Sequence, residues 1–179
     1  MTSTSGQTKK TTYYLNSQGL IDRAITYENG IMIENDFTYI YDNQGYMTAI
    51  KDTEDNRTRS TFDWNNGDIT RISTASGTPV TIVYGNELSN GYSTTPNELI
   101  GTTIWVSDPL WRQGYFGKVC KHLKTQQTGG IFFNTLLTYT YTFMQGYVTT
   151  VTTNYNMNIE GVDSDELSAT TTITWKTLP

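Results

Sequence analysis

Thr38-Tyr39-Ile40-Tyr41-Asp42-Asn43-Gln44-Gly45-Tyr46-Met47-Thr48-Ala49-Ile50 reads as one β-hairpin. Strand side chains alternate between faces, so Tyr39 and Tyr41 share one face. Asp42 can open a type I turn by accepting a hydrogen bond from the backbone two residues on. Asn43 and Gln44 fill the turn. Gly45 supplies the left-handed conformation and bulge that send the chain back. On the return, Tyr46, Thr48 and Ile50 are expected on one face.

The same chemistry recurs. Thr12–Ile25 carries Tyr13 and Tyr14, then Asn16-Ser17-Gln18-Gly19, then Ile21 and Ile25. Thr61–Ile72 carries Phe62 and Trp64, with a two-residue Asn66-Gly67 loop. Thr138–Val151 carries Tyr139, Tyr141 and Phe143, then Gln145-Gly146; Phe143 stands where Asp or Asn would support the turn. Asn29-Gly30 adds a hairpin between the first two copies. Further turns are expected at Asp52–Asn56 and Ala75–Pro79. This spacing predicts an antiparallel meander in which neighbours in sequence pair.

The chain has 179 residues, enough for one domain with a real core. Hydrophobic residues make up only 36% and aromatics 13%, which suits sheets packed on one side and wet on the other. Disordered chains are poor in aromatics. A net charge of −5 argues against a nucleic-acid partner, which calls for a basic surface. A single cysteine excludes an internal disulfide. No apolar run approaches the roughly 20 residues of a membrane helix. Met1–Lys10 reads as a flexible lead-in without a secretion signal, so the expectation is a cytosolic chain or one whose leader has been removed.

Gly85–Gly130 breaks the strand rhythm and reads as an insertion of short helices and loops plugging the sheet. Thr95-Pro96-Asn97-Glu98 is a helix start that could run to about Trp105; Thr102–Val106 would equally serve as a strand. Asp108-Pro109-Leu110-Trp111 repeats the start signal, and Gly114 is a stop. Phe116, Val119, Cys120 and Leu123 fall at i, i+3, i+4 and i+7, the spacing of one helical face, although Gly117 interrupts it. From Ile131 strands resume, with Phe132–Phe143, Gly146–Asn156 and Leu167–Lys176 as the last three. Thr138, Thr140 and Thr142 face away from the aromatics of their strand, and Thr170, Thr172 and Thr174 oppose Ile173 and Trp175.

Tyr-x-Tyr-Asp-x-x-Gly-Tyr resembles the tyrosine–aspartate repeats of large bacterial shell-forming proteins, in far fewer copies. A closer likeness spans most of the chain: the hairpin repeats, Phe62–Ile72 with Trp-Asn-Asn-Gly, Tyr84-Gly85-Asn86, Gly114-Tyr115-Phe116-Gly117-Lys118, Leu123-Lys124, and Tyr139-Thr140-Tyr141 with Gly146-Tyr147-Val148-Thr149. In that order these resemble a domain family of unknown function from gut Bacteroides, described as envelope lipoproteins with a porin-like fold. The resemblance implies a strongly curved antiparallel sheet approaching a barrel and an envelope location. Lys124 stands where the family usually has a proline. No catalytic residues come with the likeness.

Cys120 and His122 are single representatives of their types. A nucleophilic pair needs the two within hydrogen-bond reach. Residues two apart point in parallel on a strand and diverge on a helix. Cys120 is therefore expected in the core and His122 at the surface beside Lys121. One Cys and one His cannot supply a zinc site. Asp52–Asn56 and Glu160–Glu166 could offer oxygens to calcium, but their composition fits solvated tips better. A membrane barrel needs a lipid-facing apolar band, whereas the non-aromatic face here is threonine, asparagine and charge.

No acid lies between Asp108 and Glu160, while Arg112, Lys118, Lys121 and Lys124 do. That basic stretch could meet an acidic glycan or headgroup, or dock near Glu160–Glu166. The aromatics of Tyr39, Tyr41, Tyr139 and Tyr141 suit cross-strand ladders. Trp105, Trp111, Arg112 and Tyr115, in the insertion, are the ligand-binding candidates.

The sequence thus predicts a mainly β chain: residues 1–10 a tether, residues 11–179 one curved antiparallel sheet of about ten strands, barrel-like, with residues 85–130 inserted. The expected role is a non-enzymatic envelope domain without cofactor or metal, taken as a monomer. It would bind a glycan or apolar small molecule at the curved sheet, and would meet the membrane only through a lipid anchor. A structural or protein-partner module is the alternative.

Overall fold

The computed structural model describes residues 8–75, 77–89, 92, 108–130, 135–157 and 167–172. Its strands are β1 (Lys9–Leu15), β2 (Ile21–Glu28), β3 (Ile31–Tyr41), β4 (Met47–Asp52), β5 (Thr58–Asn65), β6 (Asp68–Thr74), β7 (Thr78–Leu88), β8 (His122–Gly130), β9 (Thr135–Met144), β10 (Tyr147–Met157) and β11 (Leu167–Thr172). All eleven form one sheet in sequence order. A short helix, α1 (Asp108–Arg112), lies between β7 and β8.

The turns form as their chemistry dictates. Asp42 Oδ1 accepts hydrogen bonds from the Gln44 and Tyr46 amides at 2.9 Å, and Gly45 takes φ +83°. Asn16 Oδ1 does the same for Gln18 and Leu20, at 2.9 and 3.0 Å. Asn29-Gly30, Asn66-Gly67 and Gln145-Gly146 have positive φ at both residues, the signature of the tight turn whose twist matches paired strands.

Strict alternation fails just after the turns at Gly19, Gly45, Gly67 and Gly146, and the failure is systematic. In β4 the pairing jumps from Ile40↔Ala49 to Tyr41↔Met47, leaving Thr48 as an extra residue. Asp22, Thr70 and Thr149 are extra in the same way. Each bulge turns inward the residue two after the turn glycine and the one three further on. The resulting pairs, Ile21/Ala24, Met47/Ile50, Ile69/Ile72 and Val148/Val151, are all buried. Met47 therefore faces the core in place of Tyr46 and Thr48, correcting the expected face. In β8 the extra residue is Thr125, and the inward pair is polar: Lys124 and Gln127, both buried. Bulges raise local twist, so one per returning strand at the same end bends the sheet consistently.

The concave face holds two clusters. The larger gathers Ile21, Phe37, Tyr39, Met47, Ile50, Phe62, Ile69, Ile72, Val80 and Ile82 from the sheet with Trp111, Phe116 and Cys120 from the α1 segment. Residues 108–121 thus form a plug. Phe116 packs edge-on against Tyr13 at 6.1 Å and Tyr39 at 5.0 Å, and Trp111 stacks with Trp64 at 6.4 Å. Burying such a side chain contributes about 1.5–3 kcal/mol. The smaller cluster gathers Leu123, Tyr139, Val148 and Val151, with Tyr92, Leu137 and Tyr141 against it. On the other face Thr61, Asp63, Arg71 and Thr81 are exposed, alternating with buried Phe62, Ile72, Val80 and Ile82.

Several expectations need correction. Lys9 and Lys10 are paired in β1, opposite Glu28 and Tyr27, so strand replaces part of the lead-in. The insertion is narrower than residues 85–130, because β7 continues to Leu88 and β8 starts at His122. Phe116, Val119, Cys120 and Leu123 do not form a helical face: Gly114 (φ +80°) and Gly117 (φ +88°) turn the chain, and Leu123 lies in β8. The α1 start at Asp108-Pro109 forms as expected, with the Gly114 amide bonding the Trp111 carbonyl at 2.9 Å. The sheet is open, since β1 and β11 are its two ends and do not pair among the described residues. The Thr95–Trp105 segment, Glu160–Glu166, and Ile173, Thr174 and Trp175 lie outside the described residues.

Candidate functional site

The bulged hairpins bring the turns after β1, β3, β5 and β9 to one end of the sheet, and the plug is fastened there. The Ile21 amide donates to the Tyr115 carbonyl (2.8 Å), the Lys118 amide to that of Gly45 (3.0 Å), and the Lys121 amide to that of Gly67 (3.1 Å). Buried Asp68 adds a second lock. Its carboxylate accepts the Lys121 and His122 amides at 2.7 and 2.8 Å and meets His122 Nδ1 at 2.6 Å. The Tyr41 hydroxyl donates to the Ile21 carbonyl at 2.5 Å.

Where the plug crosses the turns, an open groove of about 780 Å³ remains. One wall is the turn Asp42–Tyr46 and the tip Trp64–Gly67; the other is Arg112–Gly114 and Gly117–Lys121. Tyr46 and Trp64 pack at 4.7 Å between ring centres, and Trp64 Nε1 donates to the Met47 carbonyl at 2.8 Å, which pins the indole. Lys118 Nζ sits 4.6 Å above the Tyr46 ring. Gln44, Asn65, Asn66 and Gln113 add side-chain amides to the lining.

The candidates read from sequence separate here. Arg112 lines the groove, its guanidinium 5.8 Å from the Tyr92 ring centre. Trp111 does not offer its ring to solvent: it is fully buried beneath Trp64 and belongs to the core. Tyr115 is 40% exposed but lies outside the groove lining. Trp105 lies outside the described residues. Of the basic stretch, Lys118 and Lys121 reach the groove, whereas Lys124 is buried with Nζ 4.1 Å from the Tyr139 ring centre. Tyr46 and Trp64 join the groove although neither belongs to the insertion; their signal in the sequence is an aromatic flanking each of two turns that topology places at one end. The tyrosines assigned to ladders are tied internally, Tyr139 to Gln127 Oε1 at 3.2 Å and Tyr141 to the Lys124 carbonyl at 2.7 Å.

Cys120 and His122 have separate partners. The thiol is fully buried, 3.4 Å from the Tyr84 hydroxyl, and burial pushes its pKa up to about 11. His122 is not simply exposed, since its ring is half-buried against Asp68. Asp52, in the other acidic turn, is engaged by Arg59 Nε at 2.7 Å and by Arg57 at 3.3 Å, so its carboxylate serves ion pairs. Among the described residues no three His, Cys, Asp or Glu side chains gather as a metal site.

Cys120 gives a pH signature. Its folded pKa lies above the ordinary thiol value of 9.0. Burial likewise raises Tyr84 and Tyr41 above the phenol value of 10.0. The unfolded chain therefore loses these protons first, and stability falls as pH rises. Resistance to urea should hold to about pH 9 and then decline through about pH 11, with Cys120→Ala delaying the onset. A stability flat across that window would refute the assignment.

Known proteins share this architecture. The chain is similar to a porin-like protein from Bacteroides uniformis known from its crystal structure, with 20% identity and a TM-score of 0.72 over 90% of this chain and 67% of that one. At that identity the likeness is one of fold. No curated protein matches the chain. Residues 1–150, most of the chain, match the model of one domain family. The chain therefore belongs to the family described as a domain of unknown function (DUF4595) with porin-like fold.

Proposed function

We propose that this is a non-catalytic binding domain of the cell envelope that takes a glycan in the groove between the plug and the hairpin turns. The observation that carries the reading is the lining: pinned rings at Tyr46 and Trp64, side-chain amides at Gln44, Asn65, Asn66 and Gln113, and cations at the rim. Amides both donate and accept, which suits the hydroxyls of a sugar, and rigid aromatic edges shape a polar cleft at low entropic cost. The concave face itself is a poor site for an apolar ligand, because Trp111 and Phe116 fill it. Envelope association is supported by the porin-like fold shared with a Bacteroides protein.

Calorimetric titration with a panel of neutral and acidic oligosaccharides tests this. Binding by the native protein should be abolished by Gln113→Trp, which places an indole in the groove from an exposed position. Binding unaffected by Gln113→Trp, or no binding across the panel, would overturn the reading. A protein-partner module is favoured by one other feature. The β9–β10 tip exposes Phe143, Met144 and Tyr147 at 45, 65 and 51%, and exposed apolar patches mark interaction surfaces.

A further inference from the structure

We infer that the groove selects an anionic sugar, one bearing a carboxylate or sulfate, with Lys118 and Lys121 as the anion contacts; this rests on the glycan reading above. The protein as a whole carries −5. Yet among the described residues the groove lining holds the two rim lysines Lys118 and Lys121, and only one acid, Asp42. Both 2.9 Å bonds to Asp42 Oδ1 come from its own turn, so that oxygen is committed to backbone amides. Lys118 is placed over the Tyr46 ring and, among the described residues, not by a carboxylate. Neither Lys118 nor Lys121 makes an ion pair among the described residues. Both are exposed at the rim while their backbone amides are fixed to Gly45 and Gly67. A cation held over an aromatic face keeps its full charge, and a cleft lined by one sign of charge concentrates the opposite sign.

The amide side chains argue for a sugar over a bare anion. Phosphate or sulfate alone would use the cations and leave four amide groups without a role. A lipid surface would need the rim to be flat, whereas these groups line a cleft between two walls.

The test is titration with oligogalacturonate, a sulfated galacto-oligosaccharide, a neutral galacto-oligosaccharide, and vesicles containing anionic phospholipid. At least one acidic oligosaccharide should bind more tightly than the neutral one, with affinity falling as salt rises. Lys118→Gln and Lys121→Gln should each weaken acidic binding by about fivefold, a larger loss than either causes for the neutral sugar. Both side chains are exposed, so the variants should melt with the native protein. Neutral and acidic sugars binding equally, and both lost in Gln113→Trp, would overturn the anion selection while leaving the groove reading intact. Failure of every oligosaccharide would overturn both. Tighter binding to vesicles than to any oligosaccharide would overturn the sugar assignment in favour of a lipid surface.

Discussion

Replacing Trp111 by alanine should lower stability by about 3–5 kcal/mol, the range for deleting a large buried aromatic. The side chain is fully buried, and its ring lies nearly parallel to Trp64, with 20° between planes. Trp64, stacked on it, is held in place by the bond from its indole to the Met47 carbonyl, which limits collapse into the space. The effect should spread, because Trp64 and Tyr46 form the groove wall. Phenylalanine at 111 should recover most of the loss. It keeps a ring in place and removes an indole N–H that finds no acceptor among the described residues. Urea unfolding of the two variants measures this; a loss below about 1 kcal/mol for Trp111→Ala would show that the plug is not integral to the core.

Gly117→Ala is the second large effect, and it acts through the backbone. Gly117 has φ +88°, where an L-residue carries a penalty of about 1–2 kcal/mol. A Cβ there would also stand 2.4 Å from the Gly45 carbonyl oxygen and 3.1 Å from the Tyr41 ring. That carbonyl already accepts the Lys118 amide, so relief of the clash breaks the bond that fastens the plug. The combined loss should reach about 2–4 kcal/mol once that hydrogen bond is included. Proteolysis within residues 113–121 should rise in parallel. An alanine variant as stable as the native protein would mean that the plug and the β3–β4 turn are not in contact.

How far the sequence was legible depends on whether a residue acts locally. Asp42, Asn16, Asn66 and Gly67 set their turns through their own backbones, and each reads correctly in isolation. The strand order follows, since every pairing joins neighbours. The bulges are harder. Met47 and Ile50 stand three apart, a spacing that contradicts simple alternation until the extra Thr48 is recognised. β8 was hidden because Lys124 and Gln127 are buried in it and Leu123 is its single buried apolar side chain among the described residues, so no apolar alternation marks it. The helical spacing from Phe116 to Leu123 was coincidental: Phe116 and Cys120 turn inward from a loop with positive-φ glycines at 114 and 117, and Leu123 from strand β8. The groove was only partly visible. Arg112, Lys118 and Lys121 stand out as a basic run, but Tyr46 and Trp64 join them through contacts between segments distant in sequence.

The plug's placement also dictates an order of assembly. Every strand pairs with the next one along the chain, so the hairpins can zip from local contacts without waiting for distant ones. The segment from Asp108 to Lys121 is different: it emerges after β7, yet its partners at Ile21, Gly45 and Gly67 lie in the β1–β2, β3–β4 and β5–β6 hairpins. Docking must therefore come late, and it joins ribbons that could otherwise open one at a time into a single cooperative unit. Amide hydrogen exchange should then show β2 to β6 sharing one opening free energy in the native protein, and a graded series once the plug is loosened.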